Sequence, residues 1–279
     1  MKKQHLFAFG LALSINAQGA SIHSGLLNYW SLDETGADTA SSFAESTGVT
    51  DNTGTANGNA FFAGGLFGSA ISLDGSAGTY VSVPDGGPAG ANANDIDRSG
   101  SDLSISMWVN VTTFDKGWQG VISHGEQNDY RIGRNSRRNT DQNVVNYAGG
   151  TGDISTTTNV NDQSWHHLAA ITLDGVGTQF FIDGNLEGES LNANTSINAS
   201  NASNDILWIG GNPDNGREFN GMIDDVAMWD RGLTSDEVLE IYSQGISGNS
   251  LGAIGAIPEP SSALLMLSGI FAGIFRRNR

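Results

Sequence analysis

The stretch that decides the fold is LSISMWVNV, residues 103–111. Its residues alternate in polarity. The apolar side chains at every second position are Leu103, Ile105, Met107, Val109 and Val111. Because successive side chains of a strand point to opposite faces, this period of two predicts a β-strand that is buried on one face.

Similar short runs recur along the chain, separated by turns rich in Gly, Asn and Asp. They lie at 26–33, 70–75, 79–84, 165–173, 178–184, 205–211 and 221–230, and GVISHG, DYRIGR and NVVNYAGG are weaker candidates. We expect the runs at 70–75 and 79–84 to form a hairpin pair. About a dozen short strands with almost no helix predict an all-β fold, either a sandwich or a jelly roll.

One short helix is predicted near the C-terminal end of this region. Thr234 is suited to cap its first turn, and Glu237, three residues later, completes a capping box. Val238, Leu239, Ile241 and Tyr242 supply an apolar face.

The composition excludes several classes of function. The 279 residues carry a formal net charge of −17 and no cysteine, so disulfides and thiol chemistry are excluded. An acidic surface disfavours general binding to nucleic acid or anionic lipid, and it is compatible with high salt or divalent cations. The hydrophobic fraction of 38% and the six tryptophans are enough to fill a core.

The first 20 residues, MKKQHLFAFGLALSINAQGA, are typical of a secretory signal peptide. Two lysines precede an apolar stretch, and small residues follow it. Cleavage after Gly19 or after Ala20 would agree with this pattern. The alternative is a buried N-terminal segment.

The C-terminal residues predict transient anchoring in the inner membrane. The apolar run 263–275 would span about 20 Å as a helix, short of the roughly 30 Å hydrocarbon core. Arg276, Arg277 and Arg279 follow it and would stay in the cytoplasm under the positive-inside rule. The alternative is a plain C-terminal membrane helix.

Three features at this end occur in order: Pro258-Glu259-Pro260, the hydrophobic run and the terminal arginine cluster. Together they resemble a PEP-CTERM sorting signal. The resemblance implies a Gram-negative bacterium that makes extracellular polysaccharide, and an exosortase-type enzyme that processes the tail near Pro-Glu-Pro. The protein would then be secreted or held at the cell surface.

Five stretches of the remaining chain occur in a family's order. They are LNYWSLDETG, SAISLDGSAGTYVSVP, LSISMWVN, SWHHLAAITLDGVGTQFFIDG and FNGMIDDVAMWDRGLTSDEVLEIYSQG. Together they resemble a laminin-G-like domain of the concanavalin A-like lectin/glucanase superfamily, over about residues 26–245. The resemblance implies a two-sheet antiparallel jelly-roll sandwich of about 14 strands. The expected organisation is therefore a signal peptide at 1–20, this domain at 21–246, a flexible linker at 247–256 and the sorting tail at 257–279.

The resemblance also implies a structural calcium ion where the first and last strands meet. The positions that match its usual ligands are Asp33, in WSLDE, and Asp224, in MIDDV; Asp74 and Asp225 are weaker candidates. Carboxylate oxygens are hard ligands that suit Ca²⁺. The alternative is that these aspartates cap turns and pair with arginines.

A candidate ligand site lies in RIGRNSRRN, where Arg131, Arg134, Arg137 and Arg138 fall within eight positions. Arginine binds carboxylate and sulfate groups in a bidentate manner, so the cluster could hold a sulfated or uronic polysaccharide. The alternative is a solvated hairpin balanced by acidic neighbours. Trp118, in DKGWQG, is predicted to lie on a loop where it could stack on a sugar ring.

The other five tryptophans lie in strand patterns and are expected in the core: Trp30, Trp108, Trp165, Trp208 and Trp229.

Catalysis is not supported by the residue pattern. The Glu-x-Asp-x-x-Glu run of the superfamily's glucanases is missing, and Glu187 and Glu189 have the spacing but lie where the family has an edge strand. His166 and His167 would point to opposite faces of a strand, His167 inward and His166 half-exposed.

The sequence therefore predicts an exported, non-enzymatic, lectin-like surface or matrix protein that binds carbohydrate within extracellular polysaccharide. The alternatives are a purely structural or adhesion protein and, third, a glycoside hydrolase or polysaccharide lyase.

Overall fold

The computed structural model describes residues 22–34, 42–43, 52–84, 96–125, 129–135, 143–150, 153–198, 206–212 and 216–255. The predicted signal peptide, the sorting tail, Arg137 and Arg138 lie outside these residues. The described part contains 16 strands, one α-helix, α1 (Ser235–Ile246), and a 3₁₀ helix (Leu251–Ala253). None of its helices has the length and apolar composition needed to cross a membrane.

The strands, in chain order, are β1 (Leu26–Trp30), β2 (Ser42–Phe43), β3 (Gly54–Asn57), β4 (Phe61–Gly64), β5 (Ser69–Asp74), β6 (Tyr80–Pro84), β7 (Leu103–Val111), β8 (Gly120–Ser123), β9 (Tyr130–Arg134), β10 (Val145–Gly149), β11 (Asp153–Ser155), β12 (Trp165–Leu173), β13 (Gly177–Ile182), β14 (Asn185–Leu191), β15 (Ile206–Ile209) and β16 (Asn220–Trp229).

These strands form two antiparallel sheets of eight strands each, so the predicted all-β sandwich is confirmed. Sheet I has the order β14-β13-β12-β7-β16-β5-β4, and β1 pairs with the far end of β16. Sheet II has the order β11-β10-β9-β8-β15-β6-β3-β2. Half of the neighbouring strand pairs are not consecutive in the chain, and the crossovers between the sheets are typical of a jelly roll.

The main core lies between the two sheets. The five alternating apolar residues of β7 all belong to it, and Leu103, Ile105 and Met107 are fully buried. Sheet II contributes alternate residues from the other side, among them Val81 and Ile209. The period-two pattern of the sequence therefore identifies the residues that face the other sheet. The expectation that β7 is buried on one face only is wrong, because Ser104, Ser106 and Trp108 on its other face are at most 3% exposed.

A second core covers the outer face of sheet I. Val238 and Ile241 of α1 pack there with Trp229 of β16 and with Ile22. The helix starts as predicted: the Thr234 hydroxyl accepts a hydrogen bond from the N–H of Glu237, whose carboxylate accepts one from the N–H of Thr234. Both halves of the capping box are thus present.

The predicted hairpin of 70–75 with 79–84 does not form. β5 belongs to sheet I, where it pairs with β4 and β16, whereas β6 belongs to sheet II, where it pairs with β3 and β15. Two glycines with positive φ, Gly75 and Gly78, let the chain cross from one sheet to the other.

The packed domain also extends past the predicted boundary at residue 246. Leu251 and Ile254 are only 3% and 5% exposed and belong to the second core. His23 Nε2 donates a hydrogen bond of 2.6 Å to the carbonyl oxygen of Ile254. Residues 251–254, which lie within the segment expected as a flexible linker, therefore pack against the start of the domain.

Candidate functional site

The two sheets differ in what lies on their outer faces. The second core and α1 lie on sheet I, whereas neither lies on sheet II within the described residues. One row of paired residues crosses seven strands of sheet II: Thr55, Ser82, Trp208, Ser123, Arg131, Ala148 and Asp153. Directly paired residues point to the same face. Their chain neighbours, such as Val83 and Ile132, point into the main core, so the row lies on the outer face.

An aromatic pair stands in the middle of this face. Trp208 of β15 and Tyr80 of β6 have ring centroids 4.1 Å apart and planes inclined by 40°. Both side chains are half-buried. Beside them, Asn57 donates a hydrogen bond of 3.0 Å to the hydroxyl of Ser82. Flat, partly exposed rings with polar neighbours form the kind of platform on which sugar rings stack.

The backbone approaches this aromatic pair closely at Gly211. A Cβ there would lie 3.0 Å from Tyr80 Cβ and 3.4 Å from the Trp208 ring. The Ser123 hydroxyl donates a hydrogen bond of 2.9 Å to the carbonyl oxygen of Gly211. The platform is therefore held by packing and by a buried hydrogen bond.

Trp118 and Arg131 form a second pair on the same side. The Arg131 guanidinium carbon lies 5.1 Å from the centre of the Trp118 ring, within the range of a cation–π interaction. Trp118 is half-buried on the β7–β8 loop, with a backbone φ of 58°. A bulky residue seldom adopts this left-handed conformation, so the surrounding loop must enforce it.

The two described arginines of the predicted basic cluster, Arg131 and Arg134, lie on opposite faces of β9. Arg134 lies three residues after Arg131, on the opposite side of β9, and is only 2% exposed. Its guanidinium donates a hydrogen bond of 2.5 Å to the carbonyl oxygen of Lys116. Strand alternation separates the two arginines, and of this cluster the structure places only Arg131, among the described residues, on the outer face of sheet II.

Two of the four predicted calcium ligands lie at the same turn. Asp33 accepts a hydrogen bond of 3.0 Å from the N–H of Ser69, and Asp224 accepts bonds of 2.9 and 3.0 Å from the N–H groups of Leu66 and Phe67. Both carboxylates therefore bind the β4–β5 turn. A Cβ at Gly68 in this turn would overlap the Asp33 carboxylate.

The chemistry of this acidic site fits a cation. Burial, together with the nearby charges of Asp225 and Asp33, raises the pKa of Asp224 to about 8. One Asp224 oxygen, Oδ1, is buried without a hydrogen-bond partner, and so is Glu34 Oε2. Within the described ranges, no three acidic or histidine side chains gather as a complete metal-ligand set. Water or backbone oxygens would have to complete the coordination.

Asp74 and Asp225 have other partners. Asp74 caps an exposed turn, and hydrogen bonds from Ser76 and Asn59 lower its pKa to about 2. Asp74 pairs with Asn220, which lies four residues before Asp224 in β16. Asp74 is therefore about 13 Å from Asp224 along the strand direction. Asp225 accepts hydrogen bonds from the Tyr29 hydroxyl and the Leu251 N–H.

The two histidines point to opposite faces, as the strand pattern predicts. His167 is fully buried under α1, its Nε2 lies 2.8 Å from the Ser106 hydroxyl, and burial lowers its pKa to about 4. His166 lies between Asp183 and Asp162, and the hydrogen bond to Asp183 raises its pKa. The two rings do not share a site.

The two glutamates of the edge strand β14 differ in environment. Glu187 accepts hydrogen bonds from Thr158 and Thr157, which together lower its pKa against the opposing effect of partial burial. Glu189 is exposed, and its carboxylate lies 3.5 Å from the amide of Gln179. Glu187 therefore closes the edge of the sandwich and does not face Glu189 across a cleft.

The sequence analysis missed the aromatic platform. It placed Trp208 in the core, with Trp30, Trp108, Trp165 and Trp229, but Trp208 and Trp165 are half-buried. The signal was present in the alternation: Leu207 and Ile209 point inward, which sends Trp208 outward. The same pattern around Val81 sends Tyr80 outward.

Comparison with known proteins identifies one matching family. The family model described as the concanavalin A-like lectin/glucanases superfamily, laminin G type, matches residues 74–239. No curated protein matches the sequence.

Several solved structures share the fold. The binding domain of Paraclostridial Mosquitocidal Protein 1 is 12% identical, with a TM-score of 0.60, over 79% of this chain and 52% of its own. The binding domain of botulinum neurotoxin DC, solved in complex with SialylT, is 14% identical, with a TM-score of 0.60, over 80% and 52%. The chain thus spans about half the length of these toxin binding domains.

A third solved structure is matched over nearly its whole length. Domain 4 of AbnA, a GH43 extracellular arabinanase from Geobacillus stearothermophilus, was solved in complex with arabinotriose. It is 21% identical, with a TM-score of 0.55, over 78% of this chain and 98% of its own. At these identities the three likenesses concern the fold alone.

Proposed function

This chain belongs to the concanavalin A-like lectin/glucanases superfamily, and from that premise we propose that it is a non-enzymatic protein that binds carbohydrate on the outer face of sheet II. The observation that carries the proposal is the half-buried pair of Tyr80 and Trp208, surrounded by hydroxyl and amide groups. Sugar recognition requires flat apolar rings together with a few fixed polar groups, and this face supplies both. The complexes of two relatives, with arabinotriose and with SialylT, are consistent with it.

The carboxylates support a binding role over hydrolysis. A glycosidase needs two carboxyl groups that face each other across the scissile bond. Glu187 is tied to Thr157 and Thr158, and Asp224 to the β4–β5 turn. Incubation with extracellular polysaccharide should therefore release neither new reducing ends nor unsaturated products.

Aromatic substitutions test the binding site. We expect Trp208→Ala and Tyr80→Ala to weaken glycan binding by at least about tenfold, because each removes a stacking surface at the centre of the site. The matched control is Trp165→Ala, since Trp165 is also a half-buried tryptophan but belongs to sheet I. Binding is measured on a glycan array and then by calorimetry. Failure to retain any glycan at millimolar affinity would leave the purely structural role instead.

The acidic turn is proposed to hold a structural Ca²⁺ ion. Asp33 and Asp224 would bind it, and the ion would supply positive charge to neutralise two carboxylates that repel each other. The ion would lie between sheet I and the β4–β5 turn, which it would hold together. Its role would therefore be to stabilise the fold.

We also propose that the protein is exported and that an exosortase-type enzyme processes its tail. Support comes from the lysine-flanked apolar stretch at 1–20 and from Pro258, Glu259 and Pro260 before the terminal run. The described chain brings Ile254 beside His23, in the second core on sheet I, so the tail would leave from the side opposite the aromatic pair. Mass spectrometry of protein from the producing cells should find a C-terminus near Pro258, and an intact tail at the cell surface would contradict processing.

A further inference from the structure

The open part of the outer face of sheet II ends at Trp208. Thr55 is exposed, and Ser82 and Trp208, which follow it in the paired row, are half-buried. Ser123, the next residue of the row, is fully buried and donates its hydrogen bond to the carbonyl oxygen of Gly211. Adjacent strands lie 4.7–4.9 Å apart, so the row from Thr55 to Trp208 measures about 9.5 Å, which is comparable with a disaccharide. A ligand that stacks on Trp208 therefore extends over β6 and β3, away from β8.

One polar group beside the rings has a fixed orientation. The amide nitrogen of Asn57 donates hydrogen bonds to the carbonyl oxygen of Thr55, at 2.8 Å, and to the hydroxyl of Ser82, at 3.0 Å. A carbonyl oxygen can only accept, so the nitrogen must be the atom that faces Thr55, and both amide hydrogens are used. The carbonyl oxygen of the amide, Asn57 Oδ1, is then left as an acceptor for a ligand.

Hydrogen-bond donors remain on the aromatic side chains. Tyr80 and Trp208 contact each other through their rings, and neither the Tyr80 hydroxyl nor Trp208 Nε1 has a hydrogen-bond partner within the described residues. The Ser82 hydroxyl accepts from Asn57 and keeps its own hydrogen to donate. Sugar hydroxyls both donate and accept, so they can satisfy these donors and Asn57 Oδ1 together.

The open face carries no charge of its own. Its residues are all uncharged: Thr55, Asn57, Tyr80, Ser82 and Trp208. Glu218, which accepts a hydrogen bond from the Gly78 N–H, is paired with Lys116 at 3.5 Å. A carboxylate or sulfate bound at the rings would lose water without a cation to replace it, on a chain whose formal net charge is −17.

We propose that the platform of Tyr80 and Trp208 is selective for a neutral glycan, and that Asn57 Oδ1 accepts a hydrogen bond from one of the glycan's hydroxyl groups. This inference rests on the proposed carbohydrate-binding function. The selectivity comes from the same oxygen: a hydroxyl group exchanges a water molecule for Asn57 Oδ1, whereas an anionic group would face it and be repelled.

The test compares neutral hexasaccharides with the same molecules after oxidation of C6 to a carboxylate. The probes are cellohexaose, maltohexaose and mannohexaose, and calorimetry measures their binding to the purified protein. We expect at least one neutral probe to bind at least about tenfold more tightly than its oxidised form. The preference should persist in about 1 M NaCl, where the Debye length is roughly 3 Å and repulsion by the acidic surface is screened. A preference that vanishes in high salt would come from the net charge and would overturn the assignment to this site.

Two pairs of variants locate the selectivity. Thr55→Arg adds a cation at the open end of the row and should let the oxidised probe bind at least as tightly as the neutral one, whereas Asn185→Arg adds the same charge to β14 of sheet I and should keep the neutral preference. Asn57→Ala should weaken binding of the neutral probe by about five- to tenfold. Asn59→Ala is its control, since Asn59 donates to Asp74 in an exposed turn, and it should leave binding unchanged.

The outcomes distinguish the two proposals. Retention of neutral glycans alone on the glycan array would support the selectivity. Retention of uronic or sulfated glycans that Trp208→Ala abolishes, or tighter binding of the oxidised probes, would overturn it and leave carbohydrate binding standing. Unchanged binding by Asn57→Ala would overturn the role of Asn57. Binding of none of the probes, together with an empty glycan array, would overturn both proposals.

Discussion

The carboxylate of Asp225 accepts a hydrogen bond of 2.6 Å from the backbone N–H of Leu251, and this contact joins the last strand of sheet I to the 3₁₀ helix. The same carboxylate accepts one from the Tyr29 hydroxyl, whose oxygen in turn accepts one from the N–H of Gly252. Asp225 has a φ of 53° and lies where the register of β16 shifts. A bulge in the last strand therefore fixes the segment that follows α1.

We expect Leu251→Ala to lower the free energy of unfolding by about 2–4 kcal/mol, because it empties a buried site in the second core. Urea denaturation measures the change. The matched control is Ile246→Ala, since Ile246 is 64% exposed and its truncation should change stability by less than about 0.5 kcal/mol. Equal stabilities of the two variants would show that the segment is not part of the packed domain.

Features that depend on local pattern could be predicted from the sequence. The alternation in β7 and β12 predicted strands with their alternate side chains on one face, although the second core buries their other face as well. The Thr234–Glu237 spacing predicted the start of α1. Each of these follows from the direction of side chains within one element, which sequence spacing fixes.

Features that depend on which strands pair could not be predicted in this way. β5 and β6 are neighbours in sequence, yet the sandwich assigns them to different sheets because their partners lie far along the chain. The contact of Tyr80 with Trp208 joins residues 128 positions apart, and no single strand pattern contains it. The inward direction of Arg134, in contrast, could be predicted. Arg134 lies three residues after Arg131, and residues at an odd spacing in a strand point to opposite faces.

Calcium should raise the melting temperature of the protein, and a chelator should lower it, if the ion binds at Asp33 and Asp224. We expect the rise to be larger at pH 8 than at pH 6. Burial holds the pKa of Asp224 at about 8, so a proton competes with the ion at the lower pH. Differential scanning calorimetry measures both effects.

The variant Asp224→Asn should abolish the response to calcium while keeping the fold, because an amide oxygen can still accept from Leu66 and Phe67. In chelator this variant should be at least as stable as the wild-type protein, since it removes a buried charge. Asp74→Asn is the control and should keep the full response, as Asp74 lies in a separate turn. A response that survives Asp224→Asn would place the ion elsewhere.

His167 should make the fold less stable in mild acid. Burial lowers its pKa from 6.5 to about 4, so between these values the unfolded chain binds a proton that the folded protein does not. Stability from this group is therefore complete above pH 6.5 and is lost as the pH falls toward 4, by on the order of 3 kcal/mol. Denaturation in chelator at pH 7.5 and pH 4.5 measures the difference.

A pair of variants isolates this effect from other titrating groups. Ser106→Ala/His167→Phe removes the histidine together with its hydroxyl partner, and the loss of stability between the two pH values should shrink. Ser106→Ala alone keeps the histidine and should keep the loss. The assignment to His167 would be wrong if the double variant lost as much stability in acid as the single one.

Glu187→Gln should destabilise the protein by about 1 kcal/mol at pH 7, because it removes the charge to which Thr157 and Thr158 donate hydrogen bonds. These bonds lower the pKa of Glu187, so the stability they supply is present above pH 4.5 and is lost as the pH falls further. Glu189→Gln is the control and should be neutral, since Glu189 is exposed. Equal effects of the two substitutions on stability would contradict the structural role of the threonine bonds. Release of products from polysaccharide that either substitution abolishes would favour a catalytic role.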